Sequence, residues 1–144
     1  MVTVYTGPID RFFNFKHGQL GWGTLGLEME TVDVEDFQGA PVMNYVEESV
    51  PFTRIHEFKY LHPEETVSSA GTVIYSEQPR AAGLVDEPYY PVNGARDAKI
   101  LERYKSERLK NVYIGGRLGS YRYLDMDDTI TEALSFFETE LKHL

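Results

Sequence analysis

The hydrophobic period of this chain changes midway, and few folds accommodate such a change. Leu25, Leu27 and Met29 alternate with Gly26, Glu28 and Glu30, and Val32 and Val34 alternate with Asp33 and Glu35. A two-residue repeat is the mark of a strand. Gly39-Ala40-Pro41 interrupts the run, Val42–Val46 resumes it, and Pro51 precedes a further predicted strand over 52–60. A polar break at 62–71 separates these from Thr72-Val73-Ile74-Tyr75. The N-terminal residues read as a strand running into a turn at Gly7-Pro8. Strands in series with short turns predict an antiparallel meander.

Beyond residue 76 the pattern is different. Residues 77–88 read as a loop, and the two prolines of Pro88-Tyr89-Tyr90-Pro91-Val92-Asn93 stiffen an extended segment. Residues 95–109 fit an amphipathic helix with Ile100, Leu101 and Tyr104 inward, and Asn111-Val112-Tyr113-Ile114 a short strand. Ile130, Ala133, Leu134, Phe137 and Leu141 fall on one helical face, predicting a helix from about Asp127. The expected fold class is α+β: an antiparallel β-sheet domain over 1–87, then a helix–strand–helix segment over 88–144.

Composition narrows the function. A chain of 144 residues is one domain or a piece of a larger protein. Its formal charge of −9 argues against a broad nucleic-acid surface, which needs clustered Lys and Arg. The absence of Cys removes disulfides, thiolate metal sites and thiol nucleophiles, and fits the cytoplasm. No stretch reaches the roughly 18 apolar residues of a membrane span. The N-terminus has neither the basic nor the long apolar region of a signal peptide. Ten Tyr, eight Phe and one Trp point to a stacking or sugar-binding site.

Three groups of residues carry candidate chemistry. In the first, a strand ends in Gly115-Gly116-Arg117 and a helix opens at Asp125-Met126-Asp127-Asp128. Paired glycines admit a ligand close to the backbone, and a helix N-terminus offers N–H groups to a phosphate. A tight turn before an Asp-capped helix explains the same residues. In the second, Arg54 and His56 share a strand face with Phe52 and Phe58, an arrangement suited to a phosphate or carboxylate ligand. A surface ion pair is the plainer account. Asn44 lies beside Arg54 if the two strands pair. The third is Tyr89, Tyr90, Tyr121 and Tyr123, of which Tyr121 and Tyr123 share a face in extended chain. His17, His62 and His143 have no ligand-like spacing, so no metal site is expected.

Seven ordered blocks, among them Tyr5-Thr6-Gly7-Pro8-Ile9-Asp10, Val42-Met43-Asn44-Tyr45, Thr53-Arg54-Ile55-His56-Glu57, Glu87-Pro88-Tyr89-Tyr90-Pro91 and Gly115-Gly116-Arg117-Leu118-Gly119-Ser120-Tyr121-Arg122-Tyr123-Leu124-Asp125-Met126-Asp127, give the chain a family likeness. It resembles the C-terminal part of prokaryotic UDP-galactopyranose mutases. The resemblance implies reduced FAD as cofactor and interconversion of UDP-galactopyranose and UDP-galactofuranose through a flavin N5–sugar adduct, without net redox. It implies that Arg54 holds the substrate pyrophosphate, that Tyr90 and Tyr123 hydrogen-bond the phosphates, that Asn44 stands beside the sugar, and that Asp125 orders the region. Gly115, Gly116, Arg117, Tyr123, Leu124, Asp125 and Met126 would line the FAD, with residues 88–144 returning to an FAD-binding domain.

Two positions depart from the family pattern. Gly23 stands where a basic residue is frequent, and Tyr75-Ser76-Glu77-Gln78-Pro79 lacks the usual Lys or Arg before Glu. The G-x-G-x-x-G turn of the family's FAD site is not found: glycines 18, 21, 23 and 26 do not fit its spacing. The chain is therefore expected to be a C-terminal fragment, inactive alone and partnered by the missing N-terminal portion. The sheet surface that portion would cover is then free to support a homodimer. A free-standing module binding a nucleotide sugar or a protein is the alternative. A related FAD oxidase is a third reading, opposed by the Thr53-Arg54-Ile55 and Tyr89-Tyr90-Pro91 blocks.

Overall fold

The computed structural model describes residues 2–62, 64 and 70–142. His143 and most of the polar break at 62–71 lie outside the described residues. The chain forms two compact units, one of residues 1–23 with 81–144 and the other of residues 24–80.

In the first unit, β1 (Thr3–Tyr5) pairs in parallel with β7 (Val112–Ile114), Thr3 opposite Val112 and Tyr5 opposite Ile114. A parallel pair needs a long crossover, so this contact between the two ends of the unit does not follow from a meander. The expected turn after β1 continues as a single helical turn, α1 (Ile9–Phe12), because Pro8 at φ −58° is set for a helix start. Asp10, 1% exposed, accepts hydrogen bonds from the Arg11 and Leu20 N–H groups and fixes the loop that follows. Farther along, α2 (Ala95–Lys105) begins where the Asp97 carboxylate accepts the Gly94 N–H and ends where Ser106 Oγ donates to the Arg103 carbonyl. It buries Ile100 and Tyr104 as the spacing predicts.

Those two side chains join Ile9, Leu20, Trp22 and Tyr121 in one core. The Tyr104 hydroxyl donates to the Gly18 carbonyl at 2.8 Å and accepts the His17 N–H. Burial pushes the Tyr121 hydroxyl up to about 12, which keeps it protonated as a donor to the Gly21 carbonyl at 2.5 Å. Trp22 and Gly23 also pair antiparallel with β6 (Tyr90–Pro91), Gly23 opposite Tyr90. After β7 come a short turn of helix, α3 (Gly116–Gly119), and then α4 (Met126–Phe136), which continues as a π-helical turn over Phe137–Leu141.

The second unit is a sheet in the order β3, β4, β5, β2, with β2 (Trp22–Val32) running into it from the first unit. β3 (Val42–Asn44) and β4 (Arg54–Glu57) are antiparallel, with Asn44 opposite Arg54. β5 (Thr72–Ala81) is antiparallel to β4, with Glu77 opposite Arg54. This corrects the loop expected from residue 77. Pro79 is tolerated in the strand because it lies past the end of β4, where its missing N–H faces no partner. The strand expected over 52–60 is shorter than predicted, because the chain turns into a 3-10 helix at Phe58–Tyr60.

Candidate functional site

Two clusters of candidate residues form, one in each unit. In the sheet unit, pairing of β3 with β4 puts Asn44 and Arg54 side by side, and Arg54 Nε donates to Asn44 Oδ1 at 2.8 Å. On the other flank, Glu77 Oε2 lies 3.6 Å from an Arg54 terminal nitrogen and 3.1 Å from His56 Nε2. One guanidinium edge is thus held in place while the side chain keeps 41% exposure, enough to meet a ligand. A planar guanidinium braced this way can grip a phosphate with two parallel hydrogen bonds. Sequence reasoning placed Glu77 in a loop and missed its contact with Arg54.

Below this face lies a buried anchor. Glu57 is fully buried, and its carboxylate accepts the Phe37 and Gln38 N–H groups at 3.2 and 3.0 Å with Lys59 Nζ at 3.1 Å. Burial raises its pKa, but the Gln38 N–H, Lys59 and the Phe37 N–H outweigh that, and the net shift is downward. Gln38 then donates to the Ala40 and Ile55 carbonyls. The loop leading into β3, and so Asn44, is tied through Glu57 to the back of the strand that carries Arg54.

In the other unit, Tyr90 and Tyr123 stack with centroids 6.0 Å apart and planes 14° from parallel. The Arg117 guanidinium lies 4.3 Å from the Tyr123 ring and 5.2 Å from the Tyr90 ring. One of its terminal nitrogens donates to the Leu124 carbonyl, while its Nε is buried without a partner. No carboxylate pairs with this arginine among the described contacts, so its charge is uncompensated at a place where two half-exposed phenols converge. That combination suits an anion.

The local chain explains the convergence. β6 fixes Tyr90 against Gly23, and the Gly115–Gly119 segment folds back with Gly116 at φ +72°. Tyr121 takes φ +53°, which turns its ring into the core and leaves Tyr123 60% exposed. This corrects the expectation that Tyr121 and Tyr123 share one face: Tyr121 is structural and Tyr123 faces outward. Tyr89 is 6.4 Å from Tyr90, and among the described contacts Arg117 meets the Tyr90 and Tyr123 rings rather than that of Tyr89. Asp125 occupies the N-cap of α4 in an extended conformation, and its side chain does not close onto the helix. A Cβ at Gly115 would meet nothing within 4 Å. A separate open concavity of about 520 Å³, lined by His17, Arg96, Lys99 and Arg103 among others, contains none of the predicted site residues.

The sequence profile of UDP-galactopyranose mutase matches residues 1–123. A probable UDP-galactopyranose mutase of Klebsiella pneumoniae is 49% identical over 90% of this chain and 34% of its own length. A dTDP-fucopyranose mutase of Escherichia coli is 38% identical over 96% of this chain and 37% of its own length. A UDP-galactopyranose mutase of Mycoplasma genitalium is 33% identical over 88% of this chain and 32% of its own length. The chain belongs to the UDP-galactopyranose mutase family. It spans about a third of the length of the curated relatives it matches.

Proposed function

We propose that this chain supplies the diphosphate-gripping part of a nucleotide-sugar mutase that interconverts UDP-galactopyranose and UDP-galactofuranose. The observation that carries this reading is Arg54, held between Asn44 and Glu77 while its side chain stays 41% exposed. Contraction of the sugar ring requires UDP to leave the anomeric carbon and return, so the anionic leaving group has to be held throughout. In the sheet unit the donor for that role is Arg54, steadied by Asn44 and Glu77; in the other unit the candidate donors are the hydroxyls of Tyr90 and Tyr123. Asn44 also stands next to the sugar, and Asp125 orders the segment between Tyr123 and α4.

FAD fits residues 115–126. Gly115 opens onto free space, Arg117 Nε is buried and unpaired, and the α4 N-terminus is not closed by its own N-cap side chain. Gly115, Gly116, Arg117, Leu124 and Met126 would hold it from the backbone side, which makes their part of the chain a piece of an FAD-binding domain. Reduced FAD supplies a nucleophilic nitrogen for the anomeric carbon, so the protein residues need only orient the sugar and hold the leaving group. The work is cytoplasmic, with UDP-galactose as small-molecule partner and the rest of a longer polypeptide as protein partner. Alone, the 144-residue chain does not turn over, and its uncovered apolar surface supports a homodimer. The E. coli relative makes a dTDP-fucose mutase the second reading.

A chimera tests this. The matching third of the K. pneumoniae relative is replaced by this chain and assayed with reduced FAD on UDP-galactofuranose and dTDP-fucofuranose. Conversion of the UDP sugar is expected, and Arg54→Ala should lower it about 10²- to 10³-fold, the cost of one well-placed donor to a developing charge. A folded chimera with full turnover after Arg54→Ala overturns the role of Arg54. Preference for the dTDP sugar establishes the second reading, and turnover by the isolated chain overturns its predicted inactivity.

A further inference from the structure

We propose that His56 is a positioning residue that sets, through Glu77, how much charge Arg54 presents to an anionic ligand. The inference deepens the reading of Arg54 as a diphosphate ligand and rests on it. Its basis is one shared atom: Glu77 Oε2 is within 3.1 Å of His56 Nε2 and 3.6 Å of the Arg54 guanidinium. Glu77 is 8% exposed, so solvent does little to divide its charge between the two.

The surroundings leave His56 few other partners. Across β3 it faces Val42, across β5 it faces Tyr75, and Phe58 stacks on its ring at 5.9 Å. The Tyr75 hydroxyl is committed to Met29 Sδ of β2, and Glu28 of that strand to Gln78. Glu57 and Lys59 pair with each other on the opposite side of β4. Among the described contacts, Glu77 and Arg54 are the charged groups that share the His56 face.

The charge count gives the direction. With His56 neutral, Arg54 and Glu77 cancel, and the guanidinium is drawn toward the carboxylate. An imidazole takes up a proton between about pH 5 and 8. Once protonated, His56 claims Oε2, the three-residue group becomes net positive, and Arg54 is released toward the ligand. Affinity for a diphosphate should therefore rise as pH falls.

The test uses UDP-galactose, whose diphosphate diester stays ionised throughout that range, and calorimetric titration of the chain at the two ends of it. Wild type should bind about two- to fivefold more tightly at the acid end, the size of a partly exposed charge contact. His56→Gln, whose amide can still donate to Glu77, should lose that difference while folding normally by circular dichroism. A second arm needs no ligand: the Arg54 Nε–H resonance should titrate with the His56 ring signals in wild type and become flat in His56→Gln. An unchanged pH dependence of binding in His56→Gln, or an Arg54 resonance that ignores His56, overturns the inference. If Arg54→Ala binds UDP-galactose as wild type does, the reading of Arg54 fails instead, and the resonance arm alone decides whether the coupling exists.

Discussion

The two units of this chain differ in the balance of apolar and polar side chains they bury. In residues 1–23 and 81–144 the core is aliphatic and aromatic: Ile9, Leu20, Trp22, Ile100, Tyr104 and Tyr121. In residues 24–80 the described buried positions are Thr24, Ile55, Glu57, Thr72, Ile74 and Glu77, so only two are apolar. The first unit is held mainly by area removed from water, with the buried Asp10 and Asp97 carboxylates accepting backbone N–H groups beside that core. The other is held by strand pairing and by the buried Glu57 carboxylate, whose pKa is lowered by the groups around it. The two arginines follow the same division: Arg117 is held by ring faces, and Arg54 by an amide and a carboxylate.

The largest expected effect tests the aromatic side. Tyr104→Ala removes a ring that is 1% exposed and stacked on Phe13, with two hydrogen bonds to the 17–18 turn. It should cost about 3–5 kcal/mol, the usual cost of emptying a large core site. Hydrogen exchange should show amides of α2 and β7 losing protection while those of β3 and β4 keep theirs. Equal losses in both units would mean they unfold as one body and would break the contrast.

A smaller effect tests the polar side. Glu57→Gln keeps one acceptor but loses the charge that meets Lys59 and one of the two N–H acceptors, and should cost about 2–3 kcal/mol. It also carries a pH signature. The Glu57 pKa is depressed by folding, so its contribution is complete above the ordinary glutamate value of about 4.3 and fades as pH falls below it through the depressed value. Thermal unfolding of wild type should show a loss below that value that Glu57→Gln does not show, confined to the sheet unit. A pH-independent wild type would remove the carboxylate from the account.

How much of this was legible in the sequence also divides between the units. The two-residue alternation located β2 and β4, and it put Asn44 next to Arg54 once pairing was assumed. It did not report burial: Leu27 and Met29 are 59% and 62% exposed, while Glu57 is fully buried. What buries Glu57 is a pair of backbone N–H groups from a loop some twenty residues earlier, and no side-chain pattern encodes those. The helical spacing of Ile100 and Tyr104 was sufficient for α2. The parallel β1–β7 pair was invisible because Thr3 meets Val112 across most of the chain. Tyr121 was misread because a positive φ at a non-glycine residue reflects tertiary packing and has no local signal.

The smallest predicted effect concerns a place where the aromatic unit departs from its own rule. Ile130, Leu134 and Phe137 belong to the apolar stripe that made α4 legible, yet they are 60%, 62% and 50% exposed. Phe136, packed at 5.0 Å on Tyr113, is the helix's aromatic contact with the rest of its unit. If that stripe has no partner within this chain, Leu134→Ser should change unfolding by less than about 0.5 kcal/mol, as an exposed substitution does. The same change in a chimera carrying the other two-thirds of a relative should cost about 2–5 kcal/mol if those residues cover the stripe. A large loss in the isolated chain would instead place Leu134 in a packed interface there, a self-associated one if sedimentation shows a dimer that Leu134→Ser dissolves. The exposed stripe would then belong to the aromatic core after all, completed by a second copy.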